Sequence, residues 1–383
     1  MIGAGPSGVS SAVNCAKKGL KVLIVDLNSN SGGQIYRAPP KTYKSISKKL
    51  EENEIQKKLS DEIKKFKIET AYNHTVWQVS PGFKVNAFND TSTIQWQSKS
   101  LIIATGTYEK IIPFEGWTIP GVIGLAACTV ILKAHHFIPS RKIVLAGNGP
   151  LLMLVAYYVI QFGGKIDAIV DTSSKIDWIK STLSLITNPK NFRDGIKWIF
   201  KIFLNRIPVY SNSTVEKALE VDGGINVKIR NLKTGKAKNI ISETIAIGHG
   251  LIPSTDITRL LRAEHIYDEQ KGGWIAKVDR FLRSSVSGVY LAGDGAGISG
   301  ALAASDKGLL ASSALLFDEK IITKKEFRQY TDKILKKLDK YEVFTKAISK
   351  LNSTPKKLIE NINNGTVVCR CEDVTKNEIL RAV

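Results

Sequence analysis

The sequence predicts an α/β protein with two domains, each built around a parallel sheet that helices cover. A glycine-rich turn occurs twice, at residues 3–8 and 147–152, and each time an apolar helix and a short strand ending in aspartate follow it. That succession is typical of a nucleotide-binding βαβ unit. The chain also has 383 residues, more than one hydrophobic core usually serves. We therefore expect two dinucleotide-binding, Rossmann-like domains.

In the first part of the chain, helical periodicity alternates with short apolar runs. Val9–Lys18 is predicted as a helix and Lys21–Asp26 as the strand after it. Residues 40–67 are rich in lysine and glutamate with apolar residues at helical spacing, which predicts a solvated helical excursion. Leu101–Ala104 is predicted as a buried strand. Alternating polarity predicts a small antiparallel sheet with strands at 75–79, 83–88 and 93–96.

The second part opens with a boundary, because Pro113–Gly121 is rich in proline and glycine. A second strand–turn–helix–strand unit runs from Lys142 to Asp171. The later elements are an amphipathic helical stretch, a strand-rich stretch, a buried strand and a charged helix, predicted in turn at 178–207, 227–247, 289–293 and 324–351.

Composition argues against several classes of protein. The net charge is +20, but the lysines are spread along the chain and no nucleic-acid recognition motif accompanies them, so we expect no nucleic-acid partner. The longest apolar run, Leu151–Ile160, is about half of what a bilayer span needs. No secretory signal is visible and four cysteines do not make a disulfide framework. A cytoplasmic location is therefore expected.

The first turn carries the residue types that bind a pyrophosphate. Gly3 permits the tight turn, Gly5 lets the backbone approach phosphate, and Gly8 lets the helix pack on the strand. Pro6 and Ser7 complete the turn, and the N-terminus of the helix after it presents free N–H groups to an anion. Asp26 follows about 20 residues after the last glycine, where a carboxylate accepts hydrogen bonds from ribose hydroxyls.

Three later motifs favour FAD over NAD as the cofactor of this turn. The first contains Gly33 and Gln34, directly after the second strand, where flavoproteins with two dinucleotide domains place a loop near the flavin. The second is Ala104, Thr105 and Gly106, which resembles the short motif at a strand end in the same class. The third is the stretch 285–294, whose Gly293 and Asp294 resemble the second FAD motif, with the aspartate on the ribityl chain.

The second turn contains Gly147 and Gly149, and Asp171 ends the strand after it. Leu152 replaces the third glycine, and a side chain there is expected to crowd the contact between helix and strand. Two interpretations stay open: a second adenine-nucleotide site, such as one for NAD, or a domain kept for its shape.

Four longer blocks give the resemblance to a known family, at residues 32–37, 104–122, 145–156 and 367–375. They resemble the large FAD-containing subunit of opine oxidases, hydrogen cyanide synthases and dye-linked L-proline dehydrogenases, with related sequence in sarcosine oxidase. This resemblance implies oxidation of a C–N bond in an amino or imino acid of opine, glycine, proline or sarcosine type. It also implies a smaller flavoprotein partner that holds the amine-oxidising site.

The same resemblance implies a partial iron–sulfur site. Some family members carry a [2Fe-2S] cluster on a C-x-C…C-x-x-C segment, and Cys369 and Cys371 match its first half. A cluster needs four ligands, and no cysteine follows Cys371. We therefore expect the native gene to continue past Val383 to a C-x-x-C pair. A separate expectation concerns the other end: most of the strand before Gly3 is absent, so the gene is expected to begin upstream of Met1.

Other candidate groups are given ordinary roles. Cys15 and Cys128 are isolated, and the His135–His136 pair lacks a third ligand at metal spacing, so packed or solvated side chains are expected. The stretch Lys190–Arg206 alternates basic and apolar residues. It could lie on a membrane surface, but burial against the second domain or a partner is favoured.

Together these observations predict an FAD-dependent oxidoreductase with four segments. Residues 1–113 and 276–320 form the FAD domain, 114–275 an inserted NAD(P)-binding-like domain, 321–365 a helical segment, and 366–383 the start of a truncated cluster-binding segment. The alternatives are an NAD(P)H-dependent flavin reductase and a non-catalytic nucleotide-binding or electron-transfer subunit. The residues give no catalytic acid or base.

Overall fold

The structure is a computed structural model that describes residues 1–37, 51–185 and 189–383. Eleven α-helices lie in these ranges, and they are α1 (Pro6–Lys17), α2 (Glu51–Lys65), α3 (Leu125–His135), α4 (Gly149–Gln161), α5 (Lys175–Leu185), α6 (Pro189–Leu204), α7 (Asp256–Leu260), α8 (Ala301–Asp318), α9 (Lys324–Leu351), α10 (Lys356–Glu360) and α11 (Lys376–Ala382).

The strands in the described residues are β1 (Leu23–Val25), β2 (Glu69–Ala71), β3 (Thr75–Ser80), β4 (Lys84–Phe88), β5 (Thr93–Gln97), β6 (Leu101–Ile103), β7 (Thr107–Glu109), β8 (Val122–Gly124), β9 (Lys142–Gly147), β10 (Lys165–Asp171), β11 (Val209–Tyr210), β12 (Ser213–Val221), β13 (Gly224–Asn231), β14 (Ala237–Ser242), β15 (Thr244–Gly248), β16 (Leu251–Pro253), β17 (His265–Asp268), β18 (Gly273–Ala276), β19 (Val289–Leu291), β20 (Val367–Cys369) and β21 (Val374–Thr375).

The chain divides into two compact units. The first unit contains residues 1–108 and 251–345, and the second contains 109–250 and 346–383. Both divisions come earlier in the chain than the predicted boundaries after 113 and 275. The predicted helical segment 321–365 is not a segment of its own, because its residues are shared between the two units.

A five-stranded parallel sheet forms the centre of the first unit. Ile2 bridges in parallel to Val25 and Ile103, which joins the β1–β2 pair to the β6–β19 pair. The order is therefore β2, β1, Ile2, β6 and β19. Its central strands are apolar in every position because helices cover both faces of such a sheet. Ile24, Ile102 and Leu291 are at most 1% exposed.

Helices α1 and α8 pack closely against each other in this unit. A side chain at Gly308 of α8 would overlap the carbonyl oxygen of Ser7. The hydroxyl of Ser11 donates to the Gly308 carbonyl at 2.9 Å, and that of Ser10 donates to the Ser305 carbonyl at 3.0 Å. Glycine and serine thus let the two helices approach until side chains bond to backbone. The predicted antiparallel sheet is also present, as β3–β4–β5.

The second unit has its own five-stranded parallel sheet, in the order β11, β10, β9, β15 and β8. A three-stranded antiparallel sheet, β12–β13–β14, packs with it around a shared core that includes Val144, Val170, Val227 and Ile245. Reversal of strand order falls between β9 and β15, where ligands bind in open α/β sheets. The predicted α/β fold class with two Rossmann-like sheets is confirmed.

Two sequence predictions fall partly on residues that are not described. The helical excursion predicted at 40–67 contains α2, and its residues 40–50 lie outside the described ranges. The helical stretch predicted at 178–207 contains most of α5 and all of α6, while 186–188 lie outside those ranges.

Candidate functional site

The first glycine-rich turn is held at the carboxyl edge of the first unit's sheet. Gly3 adopts φ +108°, and a side chain there would overlap the carbonyl oxygen of Ala104. A side chain at Gly8 would overlap the carbonyl oxygen of Gly3. Two backbone segments and the start of α1 therefore meet at distances that only glycine allows. The sequence assigned these roles to Gly3 and Gly8, and Ala104 is the strand end that they contact.

Beside this contact, Gly5 leaves space for a ligand. A Cβ atom at Gly5 would have one neighbour within 4 Å in the described chain, the Cα atom of Gly33 at 3.9 Å. Gly33 itself adopts φ +63°, and the N–H of Gly32 donates to the Ala4 carbonyl at 2.9 Å. The loop of Gly33 and the turn of Gly5 thus form two walls of one cradle.

The N-terminus of α1 opens toward that cradle. Gly5 is the N-cap residue, Pro6 occupies the first turn, and no side chain of the described residues caps the helix. The first N–H groups of a helix are left without intrahelical partners and carry a partial positive charge. This end of α1 can therefore donate to the phosphates of a dinucleotide.

Asp26 lies at the end of β1 and is 8% exposed. Its Oδ2 accepts the N–H of Ala4 at 2.6 Å, and its Oδ1 accepts both the backbone N–H and the side-chain amide of Asn28, at 2.7 and 2.8 Å. An ionised carboxylate offers about four acceptor positions, so room for a ribose hydroxyl remains.

A guanidinium group stands beside this carboxylate. Arg37 donates to the side chains of Asn28 and Gln34 at 2.7 and 3.0 Å. Burial lowers the pKa of Arg37, and the neighbouring charge of Asp26 acts against that shift. Gln34 therefore acts in this structure as a support for Arg37. The sequence quoted Arg37 only as part of a motif, and its position adds a cation near the cradle.

The fourth segment of the site follows β19. Gly293 adopts φ +71°, and a Cβ there would lie 2.5 Å from the hydroxyl oxygen of Ser7. Asp294 accepts the N–H groups of Ser299 and Gly300 with Oδ1, at 2.8 and 3.1 Å. This brings a carboxylate and the start of α8 to the turn that precedes α1.

Lys307 on α8 is a site residue that the sequence did not predict. Its ammonium group donates to the carbonyls of Gly297 and Gly293, at 2.6 and 3.5 Å. Burial lowers the pKa of Lys307 to about 8, although the carboxylate of Asp294 opposes the shift. The amine thus ties together the loop that carries Asp294. No local sequence pattern marks it, because its partners are backbone carbonyls.

The remaining predicted residues lie at the rim. The Gly106 carbonyl accepts the N–H of Ser254 at 2.9 Å, and the Thr105 hydroxyl lies 3.5 Å from the Ser254 carbonyl. Next to them, the hydroxyl of Tyr108 donates to Asp256 at 2.5 Å. The ATG motif therefore fixes a loop of the same unit.

The residues present fit FAD. Four separate segments, containing Gly5, Gly33, Ala104 and Gly293, converge on one cradle with two helix N-termini and two carboxylates. A flavin dinucleotide requires those groups, namely donors for its pyrophosphate and acceptors for its ribose and ribityl hydroxyls.

The second glycine-rich turn has a different environment. Gly149 adopts φ +72°, and a Cβ there would overlap the side-chain oxygen of Asn352. Nδ2 of Asn148 donates to the Ser353 carbonyl at 3.1 Å, and the Ser173 hydroxyl donates to the Leu351 carbonyl at 3.2 Å. Residues 351–353 of the same unit thus lie where a dinucleotide would approach this turn.

Asp171, the predicted ribose ligand of this turn, is 1% exposed. Its Oδ2 accepts the indole N–H of Trp178 at 2.8 Å and its Oδ1 accepts the N–H of Ser173 at 2.8 Å. Burial raises the pKa of Asp171, and these bonds act against that shift. Leu152 is fully buried, so the contact that the sequence expected to be crowded accommodates its side chain.

Two titratable groups that the sequence missed lie at the carboxyl edge of this second sheet. Glu109 accepts the N–H of Ala126 at 2.7 Å, and side chains at Gly124 and Gly248 would overlap its carboxylate. Burial raises the pKa of Glu109 to about 7. His249 is 2% exposed, and burial lowers its pKa to about 4.

The four cysteines are free thiols, and two of them are buried. Burial raises the pKa values of Cys15 and Cys128 to about 12, so both thiols stay protonated. Cys369 ends β20 and Cys371 is exposed in the turn before β21. Across residues 1–37, 51–185 and 189–383, no three His, Cys, Asp or Glu side chains are grouped to hold a metal ion. None of the helices in this part of the chain is long and apolar enough to cross a membrane.

These features define a class: a flavoprotein with two dinucleotide-type sheets and a glycine cradle for FAD on the first of them. Comparison with known families supports this, since the model of the pyridine nucleotide-disulphide oxidoreductases matches residues 1–308. The chain belongs to that family and is an FAD-dependent oxidoreductase.

Similar proteins include subunits of two enzymes. Hydrogen cyanide synthase subunit HcnB of Pseudomonas protegens is 26% identical over 100% of this chain and 84% of its own length. An opine oxidase subunit from Rhizobium meliloti is 27% identical over 100% of this chain and 74% of its own length. The resemblance inferred from the four blocks is thereby confirmed.

Solved structures confirm the fold. L-proline dehydrogenase from P. horikoshii superimposes with a TM-score of 0.68 at 17% identity, covering 100% of this chain and 66% of that one. Thioredoxin reductase from T. acidophilum superimposes with a TM-score of 0.61 at 22% identity, covering 83% of this chain and 97% of that one.

Proposed function

We propose that this chain is the FAD-binding subunit of a hetero-oligomeric dehydrogenase or oxidase that acts on the C–N bond of an amino or imino acid. The observation that carries the proposal is the contrast between the two edges, one with a glycine cradle and the other filled by Asn352. Because Asn352 lies against the second turn, we expect the FAD to receive its electrons from a donor other than NAD(P)H.

Resemblance over the full chain supports the choice of donor. The similar enzymes are named for opines, hydrogen cyanide and L-proline, and two of them are named as subunits. An opine or a proline carries a secondary amine, whose C–N bond a flavin can dehydrogenate to an imine. We accordingly expect an amino- or imino-acid substrate and a smaller flavoprotein partner that holds the amine-oxidising site.

Disulfide reduction is a less well supported reaction for this chain than C–N oxidation, although a thioredoxin reductase shares its fold. Reduction of a disulfide through flavin needs a pair of reactive cysteines beside the flavin. Cys15 and Cys128 are isolated in the sequence and buried with raised pKa values, so they do not form such a pair. The partial [2Fe-2S] ligand set of Cys369 and Cys371 stays a prediction.

In this proposal each site residue of the first unit has a binding or orienting role. When bound, FAD supplies the two-electron chemistry. The N-terminus of α1 neutralises pyrophosphate charge, Asp26 accepts from the adenosine ribose, and Asp294 orients the ribityl chain. Lys307 holds the Asp294 loop and places a positive charge near it. A cytoplasmic setting agrees with the free thiols.

The rival functions separate in an anaerobic experiment. The FAD-loaded chain is mixed with L-proline, sarcosine, glycine and an opine, first by itself and then with a small amine-oxidising flavoprotein of the proposed kind. We expect flavin bleaching only when the partner is present, and none with NADH or NADPH. Rapid bleaching by NADPH alone would favour the reductase. Full turnover by the partner without this chain would favour the non-catalytic subunit.

A further inference from the structure

Helix α6 presents an apolar face to solvent. Five large side chains on it, Ile196, Ile199, Phe200, Phe203 and Leu204, are between 50% and 75% exposed. Their spacing, i, i+3, i+4, i+7 and i+8, places all five on one side of the helix. Isolated exposed apolar residues are ordinary, but a continuous stripe of this kind marks an interaction surface.

The opposite side of α6 is the one that packs on the fold. Ile202 on that side is 4% exposed, and α6 contacts α4. The helix is therefore already anchored by its other face. The sequence favoured burial of this stretch against the second domain or a partner, and the described residues of the chain leave the stripe uncovered.

The neighbouring helix α5, which contacts α6, carries two further exposed isoleucines, Ile176 and Ile179, 60% and 69% exposed. Ile176 also lines a cleft of about 760 Å³. The cleft is lined by the lysines at 175, 233, 236 and 238, and by no carboxylate within the described part of the chain. We call the stripe, the two isoleucines and the cleft the α5–α6 surface.

Exposed apolar side chains and a cationic cleft in the same unit limit what can cover this region. Phenylalanine and isoleucine gain free energy by leaving water, whereas the cleft lysines need an anionic environment that stays hydrated. The interface of an anionic phospholipid bilayer supplies both, an acyl boundary for the stripe and phosphates for the lysines. The net charge of +20 adds a long-range attraction to such a surface.

We propose that the α5–α6 surface docks the second unit on an anionic phospholipid bilayer, with α6 lying in the plane of the interface. Phe200 and Phe203 enter the acyl boundary, and the cleft lysines contact lipid phosphates. This contact is peripheral and independent of the proposed oxidation reaction.

Vesicle flotation of the FAD-loaded full chain tests this proposal. The chain is expected to float with vesicles of phosphatidylcholine containing one third phosphatidylglycerol, and not with phosphatidylcholine alone. Phe200→Ser/Phe203→Ser should weaken binding at least tenfold, as expected when one buried phenylalanine is lost. Lys233→Gln/Lys236→Gln should weaken binding and reduce its dependence on salt.

A matched control is available outside the surface. Ile359 and Leu380 are 55% and 59% exposed, and Ile359→Ser/Leu380→Ser should float like the wild type. FAD content and thermal unfolding show whether each variant is folded. The phenylalanines are exposed, so their replacement leaves the side of α6 that faces α4 unchanged.

Three outcomes would overturn the proposal. The first is a wild-type chain that does not float with anionic vesicles at all. The second is a phenylalanine variant that floats equally well, which assigns binding to net charge. The third is loss of a protein contact, which light scattering after size-exclusion chromatography detects. If the phenylalanine variant loses a wild-type dimer or a complex with the partner flavoprotein, and no vesicle binding is seen, the surface belongs to that protein contact.

Discussion

The two glycine-rich turns of this chain are close in sequence pattern and opposite in environment. Beside Gly5 in the first turn, the described chain places only the backbone of Gly33, at 3.9 Å from the position of a Cβ atom. Beside Gly149 in the second turn lies the side chain of Asn352. The motif thus specifies the bend between strand and helix, whereas residues more than 200 positions away decide whether a ligand has room.

The aspartates that follow the two turns show the same difference. Asp26 bonds to the turn itself, through the N–H of Ala4, and so belongs to the cradle. Asp171 accepts the indole N–H of Trp178 and the N–H of Ser173, so a ribose would have to displace hydrogen bonds within the unit. The first edge is arranged as a binding site and the second as protein interior.

The largest effect is expected from Gly8→Ala in α1, for which Gly195→Ala in α6 is the matched control. Gly8→Ala places a methyl group on the carbonyl oxygen of Gly3 and should lower the free energy of unfolding by several kcal/mol, with loss of FAD. Gly195→Ala in α6 meets no atom within 4 Å and should be neutral or stabilising by up to about 1 kcal/mol. Denaturant unfolding and flavin absorbance measure both. Equal effects would mean that the first turn is not tightly packed.

Glu109→Gln tests whether the second edge behaves as interior. Because the pKa of Glu109 is about 7 when folded and 4.5 ordinarily, the folded chain takes up a proton between these pH values and loses stability as the pH rises through them. The neutral variant should avoid this loss, which is about 3 kcal/mol above pH 7 and nil below pH 4.5. Urea unfolding from pH 4 to 8 measures it.

Glu264→Gln is the control for this pH series. Glu264 is exposed and pairs with Lys277 at 2.8 Å, so its replacement should leave the slope between pH 5 and 8 unchanged. A Glu109→Gln chain that is less stable than the wild type at pH 8 would show that the carboxylate is needed in its charged form, as for a ligand site.

Asp294→Ala should weaken FAD binding about tenfold to a hundredfold, the value of one charge-assisted hydrogen bond. Asp294→Asn keeps an oxygen that can accept from Ser299 and Gly300, and should cost less. Asp171→Ala, the matching change in the second unit, should leave FAD affinity unaltered. Equilibrium dialysis against FAD gives all three constants, and an equal loss for Asp171→Ala would contradict the contrast between the edges.

The last prediction is that NADH and NADPH do not reduce the flavin. NADH and NADPH should leave the flavin oxidised after one second of anaerobic stopped-flow mixing, because residues 351–353 lie at the second turn. Bleaching within that second would break the comparison and place the NAD(P)H-dependent reductase first.

Local patterns were sufficient for the turns and for the sheets. Gly3, Gly8 and Asp26 could be placed because spacing along the chain reflects a fixed strand–turn–helix geometry. Ala104 and Gly293 could be placed because each closely follows an apolar strand. What these motifs do once assembled, including the FAD contacts of each residue, stays a prediction.

Other residues carry no local signal. Asn352 and Glu109 act through neighbours that are distant in sequence, and Lys307 acts through backbone carbonyls that any sequence has. For α6, periodicity showed an amphipathic helix, but both of its sides contain isoleucine, and only packing on α4 shows that Ile202 lies inside while Phe203 lies outside.

The contact between α1 and α8 has a consequence for synthesis of the chain. Ser10 and Ser11 bond to partners 295 and 297 residues later. Helix α1 therefore cannot form these contacts until α8 has been synthesised. Synthesis proceeds at about 5–20 residues per second, which leaves the N-terminal segment without this partner for some tens of seconds at the slower rate. Residues 109–250, which form most of the second unit, leave the ribosome during that interval. The flavin cradle is therefore a late product of folding, and a nascent chain that ends before α8 should release FAD that a finished chain retains.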